Sequence, residues 1–153
     1  MNELTAPLFV ITGDAVGFNI PDQSPEAIRA QIDAFTLRLL ALPAEDQREF
    51  EVGHLFIEGV YMRKLHIPKG SFLVGQIHLK ECMNVVAKGD ISVVTETGCG
   101  RFQAGYTAIS APGIQKVGFA HEDTIFLNVF RTDETSIERV EVEIARKGEL
   151  CLS

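Results

Sequence analysis

Gly70-SFLVGQIHLKECMNVVAK-Gly89 is the stretch on which the reading of the whole chain turns. In an extended strand side chains two apart lie on one face. Read as one continuous strand, Phe72, Val74, Gln76, His78, Lys80 and Cys82 share a face. Gln76, His78 and Cys82 then form a polar cluster. Imidazole and thiolate are good ligands for zinc, iron or nickel, and an amide oxygen is a weaker one. His121 closes a much later apolar run, and one strand pair plus one distant strand is a common way to assemble a metal site in a barrel.

Working outward, the same texture continues. From Phe50 onward, short runs rich in Val, Ile and Phe recur over 51–67, 72–77, 83–87, 91–95, 106–110, 118–121, 125–130 and 137–145. Turns fall between them at Pro68-Lys69-Gly70, Lys88-Gly89-Asp90, Thr97-Gly98, Pro112-Gly113 and Thr132-Asp133. Many short strands at this spacing predict a sandwich or a barrel. Residues 25–42 predict the one clear helix. Ser24 suits the N-cap and Pro25 the first helical position. Ile28, Ile32, Phe35 and Leu39 make one apolar stripe, and Pro43 stops the helix. With no second long helix, alternating strand–helix topology is disfavoured. Residues 1–22 read as a short hairpin or an arm able to add a strand to a sheet. The expected organisation is one domain, with an arm and helix over 1–49 packing on a barrel over 50–153.

Composition narrows the function classes. The net charge of −7 makes a phosphate-backbone partner a poor fit, and no basic cluster offsets it. No apolar run approaches a membrane span, and Met1-Asn2-Glu3-Leu4-Thr5 lacks the basic start of a secretory signal. Cys82, Cys99 and Cys151 are odd in number and widely spaced, which predicts reduced thiols in a cytoplasm rather than a disulfide framework. Thr97-Gly98-Cys99-Gly100 reads as a turn, since no strand-to-helix step with Lys-Ser/Thr follows, as a phosphate loop would need.

The spacing resembles the first motif of the cupin superfamily: Gly, five residues, His-x-His, three or four residues, Glu, six residues, Gly. Gly70 opens it, Gln76 stands at the first His, His78 at the second, Cys82 at the Glu, and Gly89 closes it. Gly118-Phe119-Ala120-His121 is similar to the Gly-x-x-His part of the second motif. Lys116 stands there in place of a Pro, and Ile125 in place of an Asn. Ser110-Ala111-Pro112-Gly113, Glu122-Asp123-Thr124 and Gly59-Val60-Tyr61-Met62-Arg63 look like small cupin-like proteins of bacteriophages and bacteria. The resemblance runs from about Phe50 to Glu143. It implies a cupin-type double-stranded β-helix (jelly-roll) barrel carrying one N-terminal helix, and a homodimer in the cytoplasm, or in the host cytoplasm for a phage-encoded chain.

The resemblance further implies a divalent transition metal (Zn, Fe, Mn or Ni) held by His78, His121 and Cys82, beside a small-molecule ligand. Gln76, Arg63 and Tyr61 would line the pocket, with Arg63 able to fix an anionic group as a planar donor. Asp123, two residues from His121, is the best acid/base candidate, ahead of Glu81 and Glu122. The replacements at Gln76 and Cys82 equally fit a site that has lost its metal, leaving two hydrogen-bonded lumen histidines. His54 and His66 read as core or surface residues. The alternatives from other classes are a metal-free, oligomeric structural or host-interaction module and a protein that sequesters a small molecule without turnover. Whether the chain is an enzyme stays open, because fold alone does not decide it.

Overall fold

The structure, a computed structural model, describes residues 24–47 and 49–146. The arm expected over 1–22 and Cys151 lie outside the described residues.

Helix α1 spans Pro25–Leu40, and Ser24 caps it by accepting a 3.1 Å hydrogen bond from the Ala27 N–H. Its stripe of Ile28, Ile32 and Phe35 is buried against Val74, Val94 and Val117, with Leu39 and Phe72 at the margin. Burying each of these large side chains stabilises the contact by about 1.5–3 kcal/mol, so the helix is fixed to a sheet rather than standing free. Arg29 ties it down further, through Glu96 at 2.9 Å and through Gln115.

Eleven strands follow: β1 Glu51–Ile57, β2 Val60–Ile67, β3 Phe72–Val74, β4 Ile77–His78, β5 Cys82–Lys88, β6 Asp90–Thr95, β7 Gly98–Gln103, β8 Thr107–Ser110, β9 Val117–Ala120, β10 Thr124–Arg131 and β11 Ala145–Arg146. The first sheet has the order β1-β2-β10-β5-β8 and the second the order β3-β9-β6-β7, while β4 and β11 form a short pair. All pairings are antiparallel. From β5 onward the chain repeatedly crosses between the two sheets, which is how a jelly roll closes. Leu65, Ile67, Val86 and Phe126 from the first sheet meet Ile91 and Ala120 from the second in one core.

Four expectations need correction. The 72–82 stretch is not one strand: it breaks after Val74 and again after His78, so simple parity does not carry from Gln76 to Cys82. The 51–67 run is a hairpin, turned at Glu58-Gly59 with Gly59 at φ 80°. The reversal puts His54 on the same inward face as Tyr61 and Arg63, where parity along one strand set them apart. Gly98–Gln103 is a strand rather than a turn, paired with β6.

The fourth correction is a second helix, α2, over Ile137–Ile144 where a strand was expected. The β-branched residues suggested a strand, but Ile137, Val140 and Ile144 recur at helical spacing with charged residues between them. Ser136 caps the helix by accepting from the Arg139 N–H at 3.3 Å. Val140 and Ile144 then bury completely against Tyr61, Cys82 and Phe130, plugging one end of the barrel.

Two glycines hold tight corners. Gly89 adopts φ +94°, and a Cβ there would collide with the Asp123 carbonyl oxygen. Gly70, at φ +78°, donates its N–H to the Ala120 carbonyl at 2.7 Å. Among the described residues no helix is long and apolar enough to cross a membrane.

Candidate functional site

The first sheet builds the site through its register. Inward-facing residues stack in rows across its strands. One row runs His54–Arg63–Asn128–Asn84–Ala108. A row on one side of it carries Val52, Leu65, Phe126 and Val86, and a row on the other side carries Phe56, Tyr61 and Phe130. A polar belt is therefore clamped between two apolar rows. Burying polar groups in such a place costs stability unless they are bonded to one another.

Most of them are. Asn128 donates from Nδ2 to Asn84 Oδ1 at 2.9 Å, and Asn84 donates from its own Nδ2 to Ser110 Oγ at 3.2 Å. The Lys116 Nζ lies 3.2 Å from Ser110 Oγ and 3.5 Å from His78 Nδ1. The exception is Arg63, whose Nε is enclosed by protein and has no hydrogen-bond partner. Among the described residues no carboxylate forms an ion pair with Arg63 or with Lys116.

A cavity of about 890 Å³ opens along this belt. Arg63, Gln76, His78, Lys116 and Asn128 form its polar wall, and Phe50, Leu65, Phe72, Ile91 and Phe126 form much of the apolar remainder. Leu39 near the end of α1, and Leu42, Asp46, Gln47 and Glu49 beyond it, also line this cavity. A second cavity of about 430 Å³ lies on the side of β7 and β8, and Lys116 and Phe126 line both.

His78 is held by its backbone. Its N–H donates to the Ile114 carbonyl at 3.0 Å, its carbonyl accepts from the Gly113 N–H at 2.7 Å, and β4 pairs with β11. The ring sits edge-on to Phe130 with centroids 5.1 Å apart. Burial, reinforced by the charges of Lys116 and Arg63, pushes its pKa down to about 3, so the imidazole is neutral at physiological pH. Burial likewise lowers the pKa of Lys116, against a smaller raising influence from Cys82 and Glu96. Arg63 and Lys116 thus bring two basic side chains beside neutral His78, while Asp46 and Glu49 bring two acidic ones to the same cavity.

The remaining sequence candidates fall elsewhere. His121 does not line either cavity. Its Nε2 lies 2.7 Å from Ser92 Oγ, and its ring meets the edge of Phe119. Ser92 alternates with Ile91 and Val93, which face the cavity, so His121 sits on the opposite face of the second sheet from His78. Cys82 is 1% exposed and packs with Tyr61, Phe130 and Val140. Burial pushes its thiol pKa up. Tyr61 is fully buried with its hydroxyl 2.7 Å from His54 Nδ1, and it does not reach the cavity. Asp123 is exposed, and its Oδ1 accepts the Lys69 N–H at 2.9 Å, fixing a turn rather than facing the lumen. Gln76 and Arg63 do line the cavity.

These residues do not fit a divalent metal. His78 has the positive charges of Lys116 and Arg63 close by, which repel a cation, and burial pushes the Cys82 thiol towards its protonated form. Among the described residues no group of three His, Cys, Asp or Glu side chains is gathered to hold one. The residues that do converge include Lys116, Ser110, Asn84 and Asn128, none of which the motif reading proposed as site residues.

The strand order, the two facing antiparallel sheets and the crossing connections make a jelly-roll barrel, a double-stranded β-helix. No protein-family model matches the sequence, and no curated protein matches it. Among solved structures, an RmlC-like cupin from Shewanella frigidimarina is 18% identical, with a TM-score of 0.46 over 60% of this chain and 89% of that one. A cupin-family protein with a double-stranded β-helix from Methanocaldococcus jannaschii is 12% identical, with a TM-score of 0.47 over 60% and 88%. KdgF from a Halomonas species is 12% identical, with a TM-score of 0.49 over 60% and 91%.

Proposed function

We propose that the barrel lumen binds a small organic anion with an apolar body, and that Arg63 receives its charged end. One observation carries this reading: a permanently charged guanidinium on the cavity wall has an enclosed Nε without an acceptor. Arg63 is half-buried, with its Nε enclosed and no carboxylate ion-paired to it among the described residues, and a carboxylate or phosphate oxygen is the group that a guanidinium fork fits best. Asn128 and Gln76 add neutral polar atoms around the same space, and Phe50, Phe72 and Phe126 offer apolar surface for the remainder. The cavity is of the size that encloses a metabolite-sized molecule. Metal binding by His78, His121 and Cys82 has no support in this geometry.

The test is a thermal-denaturation panel of aliphatic carboxylates, aromatic carboxylates and phosphate monoesters, run on the wild type and on Arg63→Met. The expected result is a class of anion that raises the wild-type Tm and leaves Arg63→Met unmoved. Equal shifts in both proteins, or none in either, would overturn the reading.

A second reading, self-association, is supported by the outer face of the first sheet. Leu55, Met62, Val129, Met83 and Ile109 form a row that crosses all five strands. Leu55, Met83 and Ile109 are 53%, 53% and 68% exposed. The row is centred on the middle strand β10, so a two-fold related second copy would oppose like with like. Light scattering on the full chain should give a dimer that Val129→Glu dissociates. A monomeric wild type would exclude this reading.

A further inference from the structure

Lys116 is the feature of the lumen that simple anion binding does not use fully. It lies just before β9 and lines both cavities. The chain places a hydroxyl on one side of it, Ser110 Oγ at 3.2 Å, and the imidazole of His78 on the other at 3.5 Å. Phe126 and Val93 line the same space. A lysine without a bonded carboxylate, in a partly apolar pocket, is the arrangement in which the amine becomes a nucleophile rather than a counter-ion.

We propose that Lys116 forms an imine with the carbonyl carbon of an oxo acid whose carboxylate is held by Arg63. This rests on the anion-binding reading and names its ligand class. The Nζ lone pair attacks the carbonyl carbon, and the C=O π pair moves to oxygen. The Nζ proton passes to that oxygen through the Ser110 hydroxyl, which both donates and accepts, giving a carbinolamine. The hydroxyl then leaves as water by taking up the remaining Nζ proton, again through Ser110, as the nitrogen lone pair forms the C=N bond. Overall, ketone and primary amine give imine and water, with no oxidant or reductant.

The experiment uses the full chain with phenylpyruvate and levulinate, two oxo acids that differ in carboxylate-to-ketone separation, each with sodium cyanoborohydride as the trap. Intact and peptide mass spectrometry locate the reduced adduct. Phenyllactate, which has the carboxylate but no ketone, is titrated in parallel by thermal shift on the wild type and Arg63→Met. The expected result is one adduct per chain, on Lys116, with the other lysines at background and the adduct lost in Lys116→Arg. An adduct spread over several lysines, or none while phenyllactate stabilises the wild type alone, overturns the imine and leaves the anion reading standing. Absence of both trapping and stabilisation overturns both. Because the peptide map reads the wild type directly, the outcome does not depend on whether Lys116→Arg folds.

Discussion

His78→Gln, compared with the wild type at two pH values, isolates what the lumen does to one titratable group. In the unfolded chain the imidazole titrates near its ordinary value of about 6.5. In the folded protein its pKa is down at about 3, because burial, Lys116 and Arg63 all oppose a positive charge there. As pH falls below the unfolded value, the unfolded state takes up a proton that the folded state refuses. Stability is therefore full above about pH 6.5 and is lost progressively as the pH falls towards the folded value. At about pH 5 the linkage relation gives RT ln(1 + 10^1.5), or about 2 kcal/mol, lost relative to about pH 7.5. The folded pKa is already far below pH 5, so the unfolded value sets this loss. The substituted amide does not titrate, whereas His54, His66, His121 and the carboxylates are common to both proteins. In urea unfolding, the wild-type midpoint should drop by roughly 1 M more than that of His78→Gln over this interval, given a slope of about 1–3 kcal/mol/M. Equal drops in the two proteins would refute the claim that His78 is buried and neutral beside two cations.

Three further substitutions test the frame around the site. Gly89→Ala should destabilise by about 2–4 kcal/mol, because positive φ and the close approach of the Asp123 carbonyl both oppose a Cβ; chemical denaturation reads it. Asn128→Leu removes the amide donor to Asn84 Oδ1 and should cost about 1–3 kcal/mol by the same assay, since only the weak Cys82 thiol donor remains to that buried acceptor. Ile32→Ala, at a position with no exposure under α1, should cost about 2–5 kcal/mol and should raise amide exchange in the helix.

Much of the barrel was legible because period-2 apolar runs and Gly/Pro turns report on it directly. Helix α1 was legible because its cap, stripe and stop agree. What escaped came from local competition. In α2, the β-branched Ile137, Val140 and Ile144 spoke for a strand, while the Ser136 cap and the burial surface offered by Tyr61 and Phe130 favoured a helix. In the 51–67 run, the hairpin at Gly59 reverses which face each side chain takes, and nothing in the periodicity alone marks the reversal. The site suffered most from reliance on ligand-type residues. His121 matches a motif position yet bonds to Ser92 on the far side of a sheet. A subtler signal was present: Asn84 in Cys82-Met83-Asn84-Val85-Val86, Asn128 in Phe126-Leu127-Asn128-Val129-Phe130, and Lys116 two residues before Gly118 all place polar groups on otherwise apolar inward faces. Their convergence required the register of five strands, which sequence spacing does not supply.

The central claim is that the lumen is an anion site built on Arg63. Its most direct test is native mass spectrometry of untagged protein incubated with the most stabilising anion of the panel, beside Arg63→Met and His78→Ala. The account predicts one anion bound per wild-type chain, lost in Arg63→Met, with no metal adduct. A bound zinc or iron that persists in Arg63→Met and disappears in His78→Ala, with no anion retained, would contradict it.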